Sequence, residues 1–270
     1  MEQNLLEVKN LRVHYVTDTE DVQAVNGVDL HLKKGEVLGL VGETGAGKTT
    51  VALSVMQLVP DPPGIILDGE ILFKGRNLIY NSDRENQEMR GNGISMIFQD
   101  PMTALNPIMT IGQQLAEVVI KHKKLSKKAA MEVAAEMLER VGVTRDRIND
   151  YPHQFSGGMK QRAIIAMALL CNPEILIADE PTTALDVTIQ AQVLEIIRSL
   201  IRENEMSMIL ITHDLGVVAQ NCDSVAIIYA GEIVEYGTLC QVYENAMHPY
   251  TEGLFGSIPN LETNSRRLAA

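Results

Sequence analysis

The segment that most constrains this chain is a glycine-rich turn, GETGAGKTT at residues 42–50. The apolar run before it, Val37 to Val41, has the length and the branched side chains of a buried parallel strand. The run after it, Val51 to Met56, predicts a helix. A strand, a turn of the form GxxxxGK(S/T) and a helix are the context in which this motif forms a phosphate-binding loop, the P-loop. The alternative is an ordinary glycine-rich loop that contains a lysine.

The chemistry of this turn favours phosphate as its ligand. Glycines let the backbone curl so that successive N–H groups point at phosphate oxygens, and the positive end of the helix dipole adds to them. We expect Lys48 to reach the β- and γ-phosphates of a nucleotide and Thr49 to offer its hydroxyl to Mg²⁺. The residues expected to surround the phosphates are Gly42, Glu43, Thr44, Gly45, Ala46, Gly47, Lys48, Thr49 and Thr50.

Composition and charge exclude several classes of protein. In 270 residues, 23 basic against 35 acidic side chains give a net charge of -12, which argues against a broad nucleic-acid-binding face. No apolar run approaches the roughly 18 residues that span a bilayer, and the N-terminus lacks the basic region of a signal peptide, so we expect a soluble protein inside the cell. The three cysteines lie far apart without CxxC spacing, so neither a zinc site nor an iron–sulfur cluster can be built from them alone.

Two acids follow a wholly apolar segment, Ile175 to Ala178, which predicts a buried strand. Open α/β sheets bind their ligands at the carboxyl ends of the strands, where Asp179 and Glu180 would lie. We expect Asp179 to hold Mg²⁺ through its water shell and Glu180 to polarise the water that attacks the γ-phosphate. The alternative is that one acid merely caps the following turn.

Polar residues also close two other predicted strands. Gln99 follows the strand Ile94 to Phe98, where its side chain could reach a metal-bound water. His213 follows the strand Ser207 to Thr212, and we expect it to contact the γ-phosphate, although a lone histidine is usually a surface or core hydrogen-bonding group.

The N-terminal part predicts an antiparallel layer over the P-loop strand. Leu5 to Val16 and Val28 to Leu32 have strand character, and Ile65 to Phe73 continues it with a turn predicted at Asp68-Gly69. Tyr15 closes the first strand, where its ring could stack on a purine base, the alternative being ordinary packing.

Between residues 111 and 170 the periodicity becomes helical, which predicts an inserted helical subdomain. Near its end, Ser156-Gly157-Gly158 opens a helix, and a helix N-terminus with a serine is a second candidate anion site. Plain capping of the helix is the alternative.

Together these motifs resemble the nucleotide-binding subunit of an ATP-binding cassette (ABC) transporter over nearly the whole chain. The resemblance identifies Tyr15 as A-loop, Gln99 as Q-loop, Ser156-Gly157-Gly158-Met159-Lys160 as signature, Asp179 and Glu180 as Walker B acid and catalytic base, Thr183-Ala184-Leu185-Asp186 as D-loop and His213 as H-loop.

The resemblance implies an α/β fold with a RecA-like P-loop NTPase core, an N-terminal antiparallel β layer and an inserted α-helical subdomain. The implied domains are 1–98 with 172–248 as the ATP-binding core, 99–171 as the helical signature subdomain, and 249–270 as the start of a C-terminal extension. The implied catalytic residues are Glu180, His213, Gln99 and Lys48. Those implied around Mg²⁺ are Thr49, Gln99 and Asp179, and Tyr15, Ser156, Gly157, Gly158 and Asp186 join the P-loop around ATP.

The branch of the family is suggested by departures from the common signature, Phe155 for leucine and Met159 for glutamine. With the segments 98–107 and His248-Pro249-Tyr250-Thr251, they resemble the peptide and nickel importers, the dipeptide and oligopeptide permease ATPases. Members of that branch often continue into a cysteine-bearing extension that can hold an iron–sulfur cluster, so a cluster is expected only in such an extension.

The implied function is ATP hydrolysis that powers import of di- or oligopeptides. The implied partners are integral permease subunits, a second cassette bound head to tail and, indirectly, an extracytoplasmic binding protein, with no nucleic acid. The implied location is peripheral, at the cytoplasmic face of the cell membrane. Alternatives are an importer of nickel or another small solute, an exporter subunit, a soluble non-transport ABC ATPase and a nucleotide-binding regulator without turnover.

Overall fold

A computed structural model describes residues 4–100, 104–182 and 185–256 of the chain. The chain forms two compact units. Of the described residues, the first unit contains those up to Ile79 and those from Leu210 to Gly256, and the second contains those from Tyr80 to Ile209. Within the described ranges, no helix is both long and apolar enough to cross a bilayer.

The first unit contains an antiparallel sheet with the strand order β2-β1-β4-β5. Its strands are β1 (Asn4–Val16), β2 (Asp21–Lys33), β4 (Gly64–Phe73) and β5 (Arg76–Asn77). Leu6, Leu11 and Val13 of β1 are fully buried. The predicted antiparallel layer is confirmed, and β2 begins seven residues earlier than the apolar pattern indicated (21 against 28) because it pairs with β1 along almost its entire length.

The turn predicted at Asp68-Gly69 is wrong, because both residues lie inside the continuous strand β4. Gly69 has φ +111°, and the pairing of β1 with β4 shifts register between Lys9 and Arg12, as at a β-bulge. The side-chain amide of Asn10 donates to the carboxylate of Asp68 at 3.0 Å. The Asp-Gly pair thus supplies the positive φ of a bulge instead of the positive φ of a turn.

The P-loop strand of the first unit is β3 (Val37–Val41), which pairs in parallel with β9 (Ser224–Tyr229). β9 forms an antiparallel hairpin with β10 (Glu232–Thr238) around Ala230-Gly231. The helices of this unit are α1 (Lys48–Val55), α7 (Leu215–Asn221), α8 (Leu239–Glu244) and α9 (Pro249–Gly256). Gly39 of β3 lets α7 approach closely, since a Cβ there would lie 2.8 Å from Cγ1 of Val218.

The second unit contains the parallel pair β6 (Ile94–Ile97) and β7 (Ile175–Asp179), and every residue of both strands is buried. Its helices are α2 (Asp83–Met89), α3 (Ile111–Lys123), α4 (Lys127–Arg140), α5 (Gly157–Leu169) and α6 (Val187–Glu203). Strand β8 (Ser207–Thr212) runs across the boundary between the units. The helical insertion that we predicted over residues 111–170 is confirmed by α3, α4 and α5.

Candidate functional site

The P-loop lies between β3 and α1, and its glycines are needed for specific physical reasons. A Cβ on Gly42 would lie 2.2 Å from the carbonyl oxygen of Ile228 in β9. Gly47 has φ +104°, and a Cβ there would lie 2.4 Å from the carbonyl oxygen of Ala24. Gly45 has φ +85° in open space. A side chain at Gly42 or Gly47 would clash with the backbone of a neighbouring segment, and one at Gly45 or Gly47 would be strained by the left-handed backbone, so glycine is strongly favoured at all three positions.

The N-terminus of α1 suits an anion. Its N-cap residue is Gly47, which offers no side-chain cap, and the first turn contains no acidic residue. The dipole of the helix presents positive partial charge at this end. Phosphate groups are the ligands that a glycine turn followed by such a helix end binds.

Lys48 is buried in the turn with 5% of its surface exposed. Its Nζ donates to the carbonyl oxygens of Gly42 at 2.6 Å and Glu43 at 2.8 Å. A buried ammonium requires such partners, because leaving it unpaired would cost several kcal/mol. The charge therefore lies within the loop that we predicted to bind phosphate.

Two further predicted site residues lie in the first unit. Tyr15 is half-buried in β1, opposite Gly64 of β4. A Cβ on Gly64 would lie 2.9 Å from Cε1 of Tyr15, so the ring of Tyr15 packs directly against the backbone of this glycine. His213 is exposed at the end of β8, directly before the N-cap residue Asp214 of α7. These placements agree with the predicted positions, while the roles of both residues stay predictions.

The second unit carries the predicted acids and the Q-loop glutamine. Asp179, the last residue of β7, is 2% exposed, and Glu180 is 8% exposed. Nε2 of Gln99 donates to Oε2 of Glu180 at 3.0 Å, so these two predicted residues are in contact. Glu180 has φ +46°, an unfavourable value for a residue with a Cβ. Strained backbone of this kind is concentrated at functional sites.

The signature segment begins α5 as predicted. Ser156 is the N-cap residue, and its side chain accepts a hydrogen bond from the N–H of Met159 at 3.3 Å, so capping, one of our two interpretations, is present. Gly157 faces open space, with nothing within 4 Å of an added Cβ. Asp186 is the N-cap residue of α6 and accepts from the N–H of Ile189 at 3.0 Å. Thr183 and Ala184 of the predicted D-loop lie outside the described residues.

Sequence reasoning gave no role to Gln161, which links α5 to the chain after Glu180. Its side chain is 2% exposed and donates to the carbonyl oxygen of Pro181 at 2.6 Å. A signal was available, because Gln161 shares the helical face of Ile164 and Ile165 and is a polar residue where apolar ones are expected.

Each unit, taken by itself, carries oxygen donors of the kind that a hard cation binds. In the part of the chain that the structure describes, no group of three or more His, Cys, Asp or Glu side chains is placed to hold a metal by itself. The oxygen donors of Thr49 and Asp179 are of the kind that Mg²⁺ binds together with substrate phosphates and waters.

Comparison with protein families gives two matches. The family described as ABC transporter matches residues 25–183, and the family described as oligopeptide/dipeptide transporter, C-terminal region, matches residues 234–270. The first match covers more than half of the chain and includes the P-loop, the signature and both acids.

Similar curated proteins match almost the whole chain. The oligopeptide transport ATP-binding protein OppD of Bacillus subtilis is 54% identical over 262 residues, which are 96% of this chain and 73% of that protein. The dipeptide transport ATP-binding protein DppD of Lactococcus lactis is 52% identical over 272 residues, covering 100% of this chain and 78% of that protein.

Solved structures show the same fold. A dimeric ATP-binding cassette in a post-hydrolysis state, bound to ADP and phosphate, has a TM-score of 0.76 at 26% identity and covers 87% of this chain and 98% of its own. A cassette of Clostridium perfringens, described as part of an ABC transporter complex, has a TM-score of 0.74 at 26% identity and covers 90% of this chain and 92% of its own. The predicted α/β cassette fold is confirmed, and this chain belongs to the ABC transporter family as an ATP-binding ATPase.

Proposed function

We propose that this chain is the ATP-binding and hydrolysing subunit of a membrane importer of di- and oligopeptides. The observation that carries the proposal is the identity of about half of all residues, along nearly the full chain, with relatives named as oligopeptide and dipeptide transport ATP-binding proteins. The match of residues 234–270 to a region characteristic of oligopeptide and dipeptide transporters supports the same substrate class.

The P-loop binds the phosphates of ATP in this proposal. Backbone N–H groups of the segment 42–50, other than that of Glu43, which donates to the Tyr250 hydroxyl, surround the phosphates, and Lys48 contacts the β- and γ-phosphates from its position on the loop carbonyls. The ring of Tyr15 stacks on the adenine base. Lys48 needs little movement, because its ammonium is already held inside the turn.

The proposed general base for hydrolysis lies in the second unit. Glu180 takes the proton of the attacking water as general base, and the amide of Gln99, by donating to its carboxylate, holds that group in place. His213 contacts the γ-phosphate.

Mg²⁺, when bound, neutralises charge on the β- and γ-phosphates, and Thr49, Gln99 and Asp179 are the residues that would hold it directly or through water. The division into a core of 1–98 with 172–248 and a signature subdomain of 99–171 belongs to this proposal.

A second cassette completes the site. The P-loop leaves one face of the γ-phosphate uncovered, and Ser156, Gly157 and Gly158 of the other cassette would cover it, with Asp186 at the junction. The open space around Gly157 supports a close approach of ligand to backbone there. Loss of the γ-phosphate removes charge-assisted contacts between the two cassettes and lets them separate. One of the similar solved structures is itself a dimer with ADP and phosphate bound.

Permease subunits would bind the second unit near the Q-loop. Phe98 is 43% exposed and Ile108 is 82% exposed, and Tyr80 of the same unit is 82% exposed. Contiguous patches of exposed apolar side chains mark interaction surfaces, and in this proposal these residues contribute to one. The protein would then lie peripherally at the cytoplasmic face of the membrane, with the extracytoplasmic binding protein acting only through the permease.

An iron–sulfur cluster would belong to a cysteine-bearing C-terminal extension.

The test is to tag the chain in its own organism, solubilise the membranes gently and identify the proteins that copurify. We expect integral permease subunits and a second cassette with the wild type, and loss of the permease with Ile108→Glu. The matched control is Leu67→Glu, because Leu67 is an exposed apolar residue of the first unit (54%) and its replacement should leave the permease bound. Copurification of ribosomes or nucleic acid without any membrane protein would contradict the transport function.

A further inference from the structure

We propose that Tyr250 is a positioning residue for ATP binding: its hydroxyl fixes the peptide unit between Gly42 and Glu43, which in turn holds the Lys48 ammonium where phosphate binds. Tyr250 lies in α9, in the C-terminal region, 207 residues after Glu43. The inference rests on the proposed ATP site.

Both ends of one peptide group are held. The N–H of Glu43 donates to the hydroxyl oxygen of Tyr250 at 3.2 Å. The carbonyl oxygen of Gly42, which belongs to the same planar group, accepts from Nζ of Lys48 at 2.6 Å. In a trans peptide the N–H and C=O point in opposite directions, so a partner that fixes the N–H also fixes the direction of the carbonyl.

The direction of this carbonyl decides where the lysine charge lies. Rotation of the Gly42–Glu43 peptide would take the 2.6 Å acceptor of Gly42 away from the Lys48 ammonium, which also donates to the Glu43 carbonyl at 2.8 Å. An ammonium that is already placed at the phosphate position costs less to order when ATP binds. Tyr250 therefore contributes to nucleotide affinity without touching the nucleotide.

Tyr250 is itself held on two sides. Its ring lies against the ring of Tyr229 with centroids 4.5 Å apart. Its backbone N–H donates to Nδ1 of His248 at 3.2 Å. The carboxylate of Glu235 in β10 accepts from the N–H groups of Met247 at 2.9 Å and His248 at 3.1 Å, which anchors the start of α9. These contacts hold the hydroxyl of Tyr250 in its position beside the P-loop.

The protonation state of Tyr250 agrees with this role. Burial raises the pKa of the Tyr250 phenol, so the group is neutral at physiological pH. A neutral hydroxyl oxygen accepts the Glu43 N–H without placing a negative charge beside a site for phosphate.

The experiment compares Tyr250→Phe with Tyr236→Phe in the purified full chain. Tyr250→Phe keeps the ring against Tyr229 and removes only the hydroxyl. Tyr236→Phe is the matched control, because its hydroxyl also binds backbone, donating to the carbonyl of His31 at 3.1 Å between β10 and β2. The measurements are calorimetric titration with Mg-ATP and Mg-ADP, the ATPase rate at saturating ATP and amide hydrogen exchange at Glu43.

For Tyr250→Phe we expect both nucleotide dissociation constants to rise about three- to tenfold, the effect of one backbone hydrogen bond. The ATPase rate at saturating ATP should fall by a smaller factor than the affinity, and the Glu43 amide should exchange faster. Tyr236→Phe should bind nucleotide like the wild type. Wild-type affinity and exchange in Tyr250→Phe, or an equal loss of affinity in Tyr236→Phe, would overturn the inference and leave the ATPase function intact. Absence of nucleotide binding by the wild type would instead contradict the proposed function together with the inference.

Discussion

Replacing Gly42 by alanine would put a methyl group into space that another strand already fills. The Cβ would lie 2.2 Å from the carbonyl oxygen of Ile228 and 2.9 Å from its Cγ2, whereas real Cβ atoms essentially never approach below 3.0 Å. Either the P-loop or β9 must therefore move by at least 0.8 Å (3.0 less 2.2).

The destabilisation expected for Gly42→Ala depends on which atom blocks the added methyl group. Forcing extra methyl groups into packed interiors costs about 1–3 kcal/mol. Because the blocking oxygen belongs to backbone and cannot rotate away, we expect the upper end, about 3 kcal/mol, which lowers the folding equilibrium constant about a hundredfold. The displaced turn should also bind nucleotide more weakly.

Urea denaturation followed by far-UV circular dichroism measures the loss of folding stability, since the chain has no tryptophan for fluorescence. Titration with Mg-ADP measures the loss of nucleotide affinity. Gly35→Ala is the matched control: Gly35 has φ +74° and nothing within 4 Å of an added Cβ. The free energy of unfolding of Gly35→Ala should fall only by the cost of a left-handed backbone, about 1–2 kcal/mol, and its nucleotide affinity should be unchanged. A Gly42→Ala protein with the wild-type denaturation midpoint and wild-type affinity would refute this account of the P-loop.

Three further predictions concern single side chains. Glu180→Gln should still bind ATP but hydrolyse it about 10²- to 10⁴-fold more slowly in single-turnover assays, because water activation is lost; hydrolysis near the parent rate would exclude Glu180 as the base. Lys48→Ala should weaken nucleotide binding itself, and a titration that shows unchanged affinity would contradict its role. Burial raises the pKa of the Cys222 thiol to about 12, so little thiolate exists at pH 8, and iodoacetamide should label the exposed Cys240 first, as followed by mass spectrometry; faster labelling of Cys222 would be inconsistent with its burial.

Local patterns predicted the elements that carry the site. The P-loop depends on a strand, a glycine turn and a helix that are consecutive in the chain, and each polar strand end follows directly from its apolar run. Pairings between distant segments were not predictable in this way. The Gln99–Glu180 contact joins residues 81 positions apart, and the Glu43–Tyr250 contact joins residues 207 positions apart.

The Asp68-Gly69 pair shows why a correct local signal can give a wrong element. Its sequence favours positive φ, which both turns and bulges require, and only the pairing of β4 with β1 decides between them. The length of β2 has the same cause, since its first residues pair with β1 without an apolar pattern of their own.

The most direct test of the central claim is uptake of labelled di- and oligopeptides by cells from which this chain has been deleted. The account predicts that uptake is lost, that the wild-type chain restores it and that Glu180→Gln does not, although the variant protein is present at the membrane. Peptide uptake that is unaffected by the deletion would contradict the proposed peptide import, whether the deleted cells lose nickel uptake instead or show no uptake defect.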